Sequence, residues 1–277
     1  MIGDLHCHTK ASDGSMTVDE IVFYAKRAGL DFLAVTDHDT MASVNRAEIL
    51  GRRYGVRIIP GVEFSTIDST RSRKVHLLCY LPKNPDRLEG MCKHTLDRRR
   101  KAGLEMIQKV CMYYPVTPEH IARYYSGSQS IYKQHIIQAL MDLGYEDRVC
   151  GTLMKKLFDP NTGLCYSSVE YPDVYSAIEL IRSSGAIVVL AHPSTYDSMD
   201  LFRELARQKL IDGVEAYHPR NTKTDIEEME RVAKQTGLIL TGGTDFHGYY
   251  TSRVNPLATC ITGEESINRI YELSSKR

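Results

Sequence analysis

The chain has 277 residues and carries 35 Lys+Arg against 35 Asp+Glu, a formal net charge of zero. About 42% of it is hydrophobic and 25% charged, which is globular composition, and the balance excludes attachment to nucleic acid or membrane by bulk charge. No run approaches the ~18 apolar residues of a membrane-spanning helix. The opening Met1-Ile2-Gly3-Asp4-Leu5-His6 lacks the basic and apolar regions of a secretory leader. The seven cysteines are odd in number and none forms C-x-x-C, so they are expected as reduced thiols in the cytoplasm.

In chain order, Ile2–His6 reads as a first strand. Thr17-Val18-Asp19-Glu20 is a capping box that opens a helix, whose apolar Ile21, Val22, Ala25 and Ala28 share one face before Gly29 ends it. Phe32–Val35 is a second strand, 41–54 a helix stopped by Gly55, 57–62 a third strand and 75–80 a fourth. Between about 82 and 171 no strand is convincing; 88–113, 131–143 and 152–158 read as helices, so residues 88–168 are expected as an inserted all-helical unit. Alternation then resumes: helix 173–184, strand 186–191, helix 198–208, strand 213–217, and a helix from a Thr224–Glu227 capping box to Gly237. Strand 238–242 and a closing helix 264–273 complete it. Seven strands alternating with helices predict an α/β fold, a parallel barrel or a doubly wound sheet, built from 1–87 and 169–277.

Imidazoles and carboxylates gather at the C-terminal ends of these strands, where parallel α/β folds build their sites. His6 and His8 follow the first strand, Asp37-His38-Asp39 the second and Glu63 the third. His76 lies within the fourth, His192 ends the fifth, His218 follows the sixth, and Asp245 and His247 follow the seventh. His6 and His8 are two apart on extended chain, so both point to one side while Cys7 points into the core. Neutral imidazole with carboxylate is a ligand set for Zn, Mn or Fe ions, and a metal cluster is the expected site. Asp13-Gly14 and Gly242-Gly243 supply tight backbone at the same rim.

These residues resemble successive motifs of the PHP (polymerase and histidinol phosphatase) superfamily. The motifs are His6-Cys7-His8-Thr9 with Ser12-Asp13-Gly14, Thr36-Asp37-His38-Asp39, Gly61-Val62-Glu63-Phe64-Ser65 and Val75-His76-Leu77. Leu190-Ala191-His192-Pro193 and Thr244-Asp245-Phe246-His247-Gly248 continue the order. The stretch Ser130–Ile136, with Ala139-Leu140 and Gly144, is similar to the insert helix of the nucleotide-phosphatase branch. That branch usually has Arg-Pro-His where this chain has Lys133-Gln134-His135.

The resemblance implies a distorted seven-stranded (β/α) barrel with two or three divalent ions. His6, His8, Glu63 and Asp245 would hold one, Glu63, His76 and His192 a second, and Asp13, His38 and His247 a third. It also implies a metal-dependent phosphoesterase of small nucleotides, such as 3′,5′-bisphosphonucleotides; related members trim short RNA from the 5′ end. Clustered ions suit phosphoryl chemistry because they activate water and neutralise phosphate oxygens. Asp39 and His218 are candidates for the acid that protonates the leaving group, and Lys133, His135, Arg220 and Asn221 for substrate binding. Rival readings are a histidinol-phosphate phosphatase, an amidohydrolase and a non-catalytic metal-binding accessory. The amidohydrolase reading lacks its bridging lysine, with Leu77-Leu78 after His76. The basic run Arg98-Arg99-Arg100-Lys101 is expected to spread around a solvated helix, and Tyr113-Tyr114 and Tyr124-Tyr125 to pack in the core.

Overall fold

The structure is a computed structural model that describes residues 1–252 and 255–277. Its strands are β1 (Ile2–Cys7), β2 (Phe32–Val35), β3 (Arg57–Ile58), β4 (Gly61–Asp68), β5 (Arg73–Tyr80), β6 (Ile187–Leu190), β7 (Gly213–Tyr217), β8 (Ile239–Gly242) and β9 (Thr262–Gly263). Its helices are α1 (Val18–Arg27), α2 (Val44–Tyr54), α3 (Asp86–Tyr113), α4 (Pro118–Tyr125), α5 (Lys133–Asp142), α6 (Thr152–Phe158), α7 (Val174–Ser183), α8 (Met199–Arg207), α9 (Lys223–Thr236) and α10 (Glu264–Ser275). The fold is mixed α/β. One sheet runs β3-β2-β1-β9 and the other β4-β5-β6-β7-β8. Isolated bridges between Cys7 and Phe246 and between His38 and Glu63 link the two.

The pairing departs from an all-parallel expectation. β1, β2 and β3 are parallel, as are β6, β7 and β8, but β4 pairs antiparallel with β5 and β5 with β6. Only residues 69–72 join β4 to β5, far short of the dozen or more that a parallel crossover needs. The expected third strand is also two strands. Arg57 and Ile58 pair with β2, whereas the chain beyond Pro60 pairs with β5 from Gly61 onward. Glu63 therefore sits inside β4 rather than after a strand, with five further strand residues beyond it, from Phe64 to Asp68.

Helix ends follow the capping chemistry with one shift. Thr17 accepts from the Glu20 N–H while Glu20 accepts from the Thr17 N–H, the full reciprocal cap. At α9 the cap is Thr222, which accepts from the Asp225 N–H, instead of the Thr224–Glu227 pair two residues later. The short α4 goes unread in the sequence, although Thr117 caps it and Pro118 occupies its first turn.

Apolar residues of both sheets, among them Leu5, Phe32, Leu78, Tyr80, Val189 and Ile239, meet in one buried cluster that α10 closes with Ile267 and Ile270. α1 and α2 cover β1 and β2, while α7, α8 and α9 cover β4 to β7. Helices α3 to α6 bury a cluster of their own, including Met106, Ile121, Ile136, Leu140, Leu153 and Phe158. No helix among the described residues is long and apolar enough to cross a membrane.

Two glycines test this packing in opposite directions. A Cβ on Gly243 would lie 2.3 Å from His6 Cβ and 2.7 Å from His6 N, so Gly243→Ala forces β1 and the end of β8 apart. Its expected cost is about 1–3 kcal/mol in urea denaturation. Gly90, inside α3, has open space at the same position, and Gly90→Ala should gain about 0.4–1 kcal/mol by restricting the unfolded chain.

Candidate metal centre

The buried centre is organised around one carboxylate, Glu63, held on β4 at 1% exposure. Its Oε2 lies 3.2 Å from His6 Nε2, 3.2 Å from His8 Nε2 and 3.1 Å from His38 Nδ1. Its Oε1 lies 2.8 Å from His76 Nδ1 and 3.0 Å from His192 Nε2. Asp245 Oδ1 joins the first pair, 3.5 Å from His6 Nε2 and 3.2 Å from His8 Nε2. Across His8, Asp13 Oδ1 lies 3.2 Å from His247 Nε2 and 3.9 Å from His38 Nε2.

The strand periodicity explains the convergence. His6 and His8 bring their Nε2 atoms to 3.1 Å on one side of β1, and Cys7 turns into the core to reach the Ala34 carbonyl. Lys74 and His76 share one face of β5 by the same alternation. Three residues at the rim, Asp39 (φ 56°), His192 (φ 24°) and Asp245 (φ 50°), adopt the left-handed backbone that side chains other than Gly seldom take. Such local strain persists only where the surroundings enforce it, and it collects at functional sites.

Groups of donor atoms that can hold a divalent ion are His6, His8, Glu63 and Asp245; His8, Asp13, His38 and His247; and His38, Glu63 and His76. His6, His192 and Glu215 form another. The donors fit an ion on three grounds. Separations of 3.1–3.5 Å around His6 and His8 are close to the ~3.4 Å between ligands of a four-coordinate ion bound at about 2.0–2.1 Å. Glu63 Oε2, Asp13 Oδ1 and His192 Nδ1 are buried with no hydrogen-bond partner among the described residues, a costly state for a protein interior. Outer contacts also leave ring lone pairs facing the centre. His6 Nδ1–H donates to Glu215 Oε1 at 2.9 Å, and His247 Nδ1–H donates to the Asp245 carbonyl at 2.8 Å, so each Nε2 is free to ligate.

The electrostatics favour cations. Burial alone would drive the His8 imidazole down, yet Asp245 and Glu63 push it up to about 10. Burial would likewise raise Glu63, but His6, His38 and His76 hold it well below the usual carboxylate range. Carboxylates kept ionised among buried imidazoles supply the negative charge and the lone pairs that a divalent ion requires.

A cavity of about 150 Å³ opens on these ligands and includes Arg220 and Thr195. A second, about 280 Å³, adjoins it and shares Asp13, His38, His76, Gln134 and Tyr196. Its far wall carries Lys74, Arg99 and Lys133 among Tyr132, Tyr166 and Tyr171. Lys133 Nζ sits 4.7 Å from the Tyr166 ring centroid, Lys74 Nζ 5.6 Å from that of Tyr171, and Arg99 4.8 Å from that of Tyr132.

The other sequence candidates fall in distinct places. Lys133 lines the larger cavity and donates to the Phe158 carbonyl at 2.9 Å; burial, with Lys74 and Arg99 nearby, lowers it to about 8. His135 turns away from both cavities at 2% exposure and accepts the Tyr132 N–H, and burial lowers it to about 4. Arg220 is exposed at the metal rim. Asn221 donates to the Glu215 and Ala216 carbonyls and so ties the chain after β7 to that strand. His218 accepts the Arg220 N–H at Nδ1, so its neutral ring carries the proton on Nε2, 3.4 Å from Asp245 Oδ2. Asp39 is fully buried and accepts from Arg99 Nη2 at 2.8 Å and from the Ser65 N–H.

Arg99 corrects the reading of its basic run as a solvated face. It is 9% exposed and in phase with Cys92, Thr95, Ala102 and Met106 on the buried stripe of α3, a periodicity the charge run obscures. Tyr113 also departs from core packing, at 57% exposure. Glu215 was missed, though a lone acid inside the apolar strand Gly213–Tyr217 is itself a signal.

The PHP domain model matches residues 4–239. A phosphoribosyl 1,2-cyclic phosphate 1,2-diphosphodiesterase from Eggerthella lenta is 36% identical over 252 residues, covering 90% of this chain and 95% of that protein. A 3′,5′-nucleoside bisphosphate phosphatase from Chromobacterium violaceum is 27% identical over 258 residues, covering 88% and 86% respectively. A solved structure from Bifidobacterium adolescentis, named provisionally as a metal-dependent phosphoesterase, superposes with a TM-score of 0.87 at 24% identity, covering 98% of this chain and 96% of that one. With the family model matched over most of this chain and the candidate ligand groups assembled where the two sheets meet, the chain belongs to the PHP domain family and is a metal-dependent hydrolase of phosphoester bonds.

Proposed function

We propose that this enzyme hydrolyses a phosphoester on a pentose that bears a second phosphate at its 5-position, as in a 3′,5′-bisphosphonucleotide or a 5-phosphorylated ribose cyclic phosphate. The observation that carries the reading is the adjoining pair of cavities, one on the ligand cluster and one lined by Lys74, Arg99 and Lys133 among tyrosines. Both similar proteins are named for substrates with more than one phosphoester linkage. The two sheets fit the distorted barrel implied by the resemblance, and α3 to α6 the helical cap. The two or three ions would be held by His6, His8, Glu63 and Asp245, by His76 and His192 with Glu63, and by Asp13, His38 and His247. Seven unpaired cysteines support a reducing, cytoplasmic location.

Bound divalent ions supply a neutral-pH nucleophile from water and neutralise charge building on the phosphate oxygens. The chain does the rest by position. Arg99, fixed by Asp39 and Ser65 Oγ at 2.8 Å each, offers a rigid charged donor set to the distal phosphate, with Lys74 and Lys133 as movable point charges. Asp39 serves in this scheme as the anchor of Arg99 rather than as a proton donor. Tyr166 and Tyr171 form aromatic walls for the apolar face of a sugar or base. His218 holds Asp245 in place, and Arg220 meets the reacting phosphate from the open rim.

A phosphate-release screen with added Mn tests the substrate. Phosphate release is expected with the bisphosphonucleotide and far less with histidinol phosphate. The cyclic phosphate, whose first hydrolysis gives a monoester and only its second free phosphate, is also followed by chromatography of the opened ring. An enzyme that binds metal but hydrolyses none of them would leave only the accessory reading. Dialysis against a chelator should abolish release and Mn should restore it. His192→Ala should lower kcat by at least about a hundredfold, measured in the same assay. Lys133, with its folded value near 8, is charged below that pH and neutral above it. kcat/KM should therefore fall as pH rises through about 8, and Lys133→Met should remove that limb of the profile while lowering kcat/KM at pH 7.

A further inference from the structure

The loop between β1 and α1 carries Asp13 and is held from outside the sheets. Ser128 Oγ donates to the Ser12 carbonyl at 2.8 Å and to the Ala11 carbonyl at 3.3 Å, and the Gln129 N–H donates to the Ala11 carbonyl at 2.8 Å. These donors lie between α4 and α5, more than a hundred residues along the chain from the loop they clamp. One more contact reaches the ligand itself. Gln134, in the first turn of α5, donates from Nε2 to Asp13 Oδ2 at 2.9 Å.

A carboxylate has two oxygens, and here they are treated differently. Oδ2 is engaged by the amide, while Oδ1 is buried without a hydrogen-bond partner and faces His247 Nε2, His8 Nδ1 and His38 Nε2 at 3.2, 3.8 and 3.9 Å. An amide donor on one oxygen fixes rotation about the carboxyl bond and presents the other oxygen to the imidazoles. Gln134 also lines both cavities, so it stands where the two meet.

We infer that Gln134 is a positioning residue for the Asp13–His38–His247 group: the helical unit, through Gln134 and Ser128, sets the affinity of that one ion site. The inference rests on reading that group as a metal site. An amide suits this task because it donates without adding charge, whereas a lysine would compete with the cation for Asp13. Gln134 needs no contact with the phosphate to act; it works through Asp13.

The test is metal uptake by the full-length protein, read by elemental analysis after equilibration at graded free Mn. Gln134→Met keeps the length of the side chain and removes the donor. It should weaken one class of bound ion about 10–100-fold and leave the remainder unchanged, with the urea midpoint of the metal-stripped protein preserved. Ser128→Ala, which frees the loop backbone and keeps Gln134, should weaken the same class by less. In an Asp13→Ala background, Gln134→Met should add nothing, because its route is gone. Uptake by Gln134→Met equal to wild type overturns the inference, as does an effect that persists in the Asp13→Ala background. If the wild-type chain takes up no ion at all, the metal reading falls and carries this one with it.

Discussion

A single buried carboxylate sets the terms for the rest of the molecule. Glu63 lies on a sheet interior with five imidazoles within 3.2 Å of its two oxygens, a density that no apolar core tolerates without a compensating cation. Each neighbour is there because a different element delivers it: β1 brings His6 and its edge His8, the end of β2 His38, β5 His76 and the end of β6 His192. The antiparallel β4–β5 hairpin places Glu63 and His76 on adjacent strands, and the bridge from His38 to Glu63 ties the first sheet to the second at the same point. The sheets therefore do not merely carry the site; their junction is where it forms.

Much of this was legible in the sequence because the signals were local. Strand alternation put His6 and His8 on one side and Cys7 on the other, and apolar runs with capping residues located most helices. What escaped had non-local causes. The split of residues 57–62 between two sheets depends on which neighbour each half pairs with, which a single apolar run does not reveal. Arg99 looked like part of a solvated basic run because its partner, Asp39, lies sixty residues away. Glu215 is marked in the sequence only as an acid within an apolar strand, and its role comes from His6 Nδ1 beside it. Gln134 carries no chemistry of its own to notice; its role comes from the position of Asp13.

The neutral sum of charges conceals a strong local separation. Lys74, Arg99 and Lys133 converge on one cavity with Asp39 bound to Arg99 behind them, while the carboxylates concentrate a few ångströms away at the ligand cluster. On the proposed reading, a phosphorylated ligand would meet positive charge at both ends, from side chains at one and from ions at the other. The zero net charge offers no bulk attraction to a long polyanion, so recognition of a phosphorylated ligand rests on local charge.

The cluster also joins distant parts of the chain. His6 comes from the first strand, His8 from just beyond it and Asp245 from beyond the eighth, so the candidate group of His6, His8, Glu63 and Asp245 spans nearly the whole sequence. During synthesis the early histidines leave the ribosome long before their partners exist. The nascent chain can pair β1, β2 and β3 early, yet it cannot complete this cluster, or add β9 to that sheet, until residues from Asp245 onward emerge. Metal capture would then be among the last events of maturation, and an ion seated there would act as a cross-link between the beginning and the end of the chain.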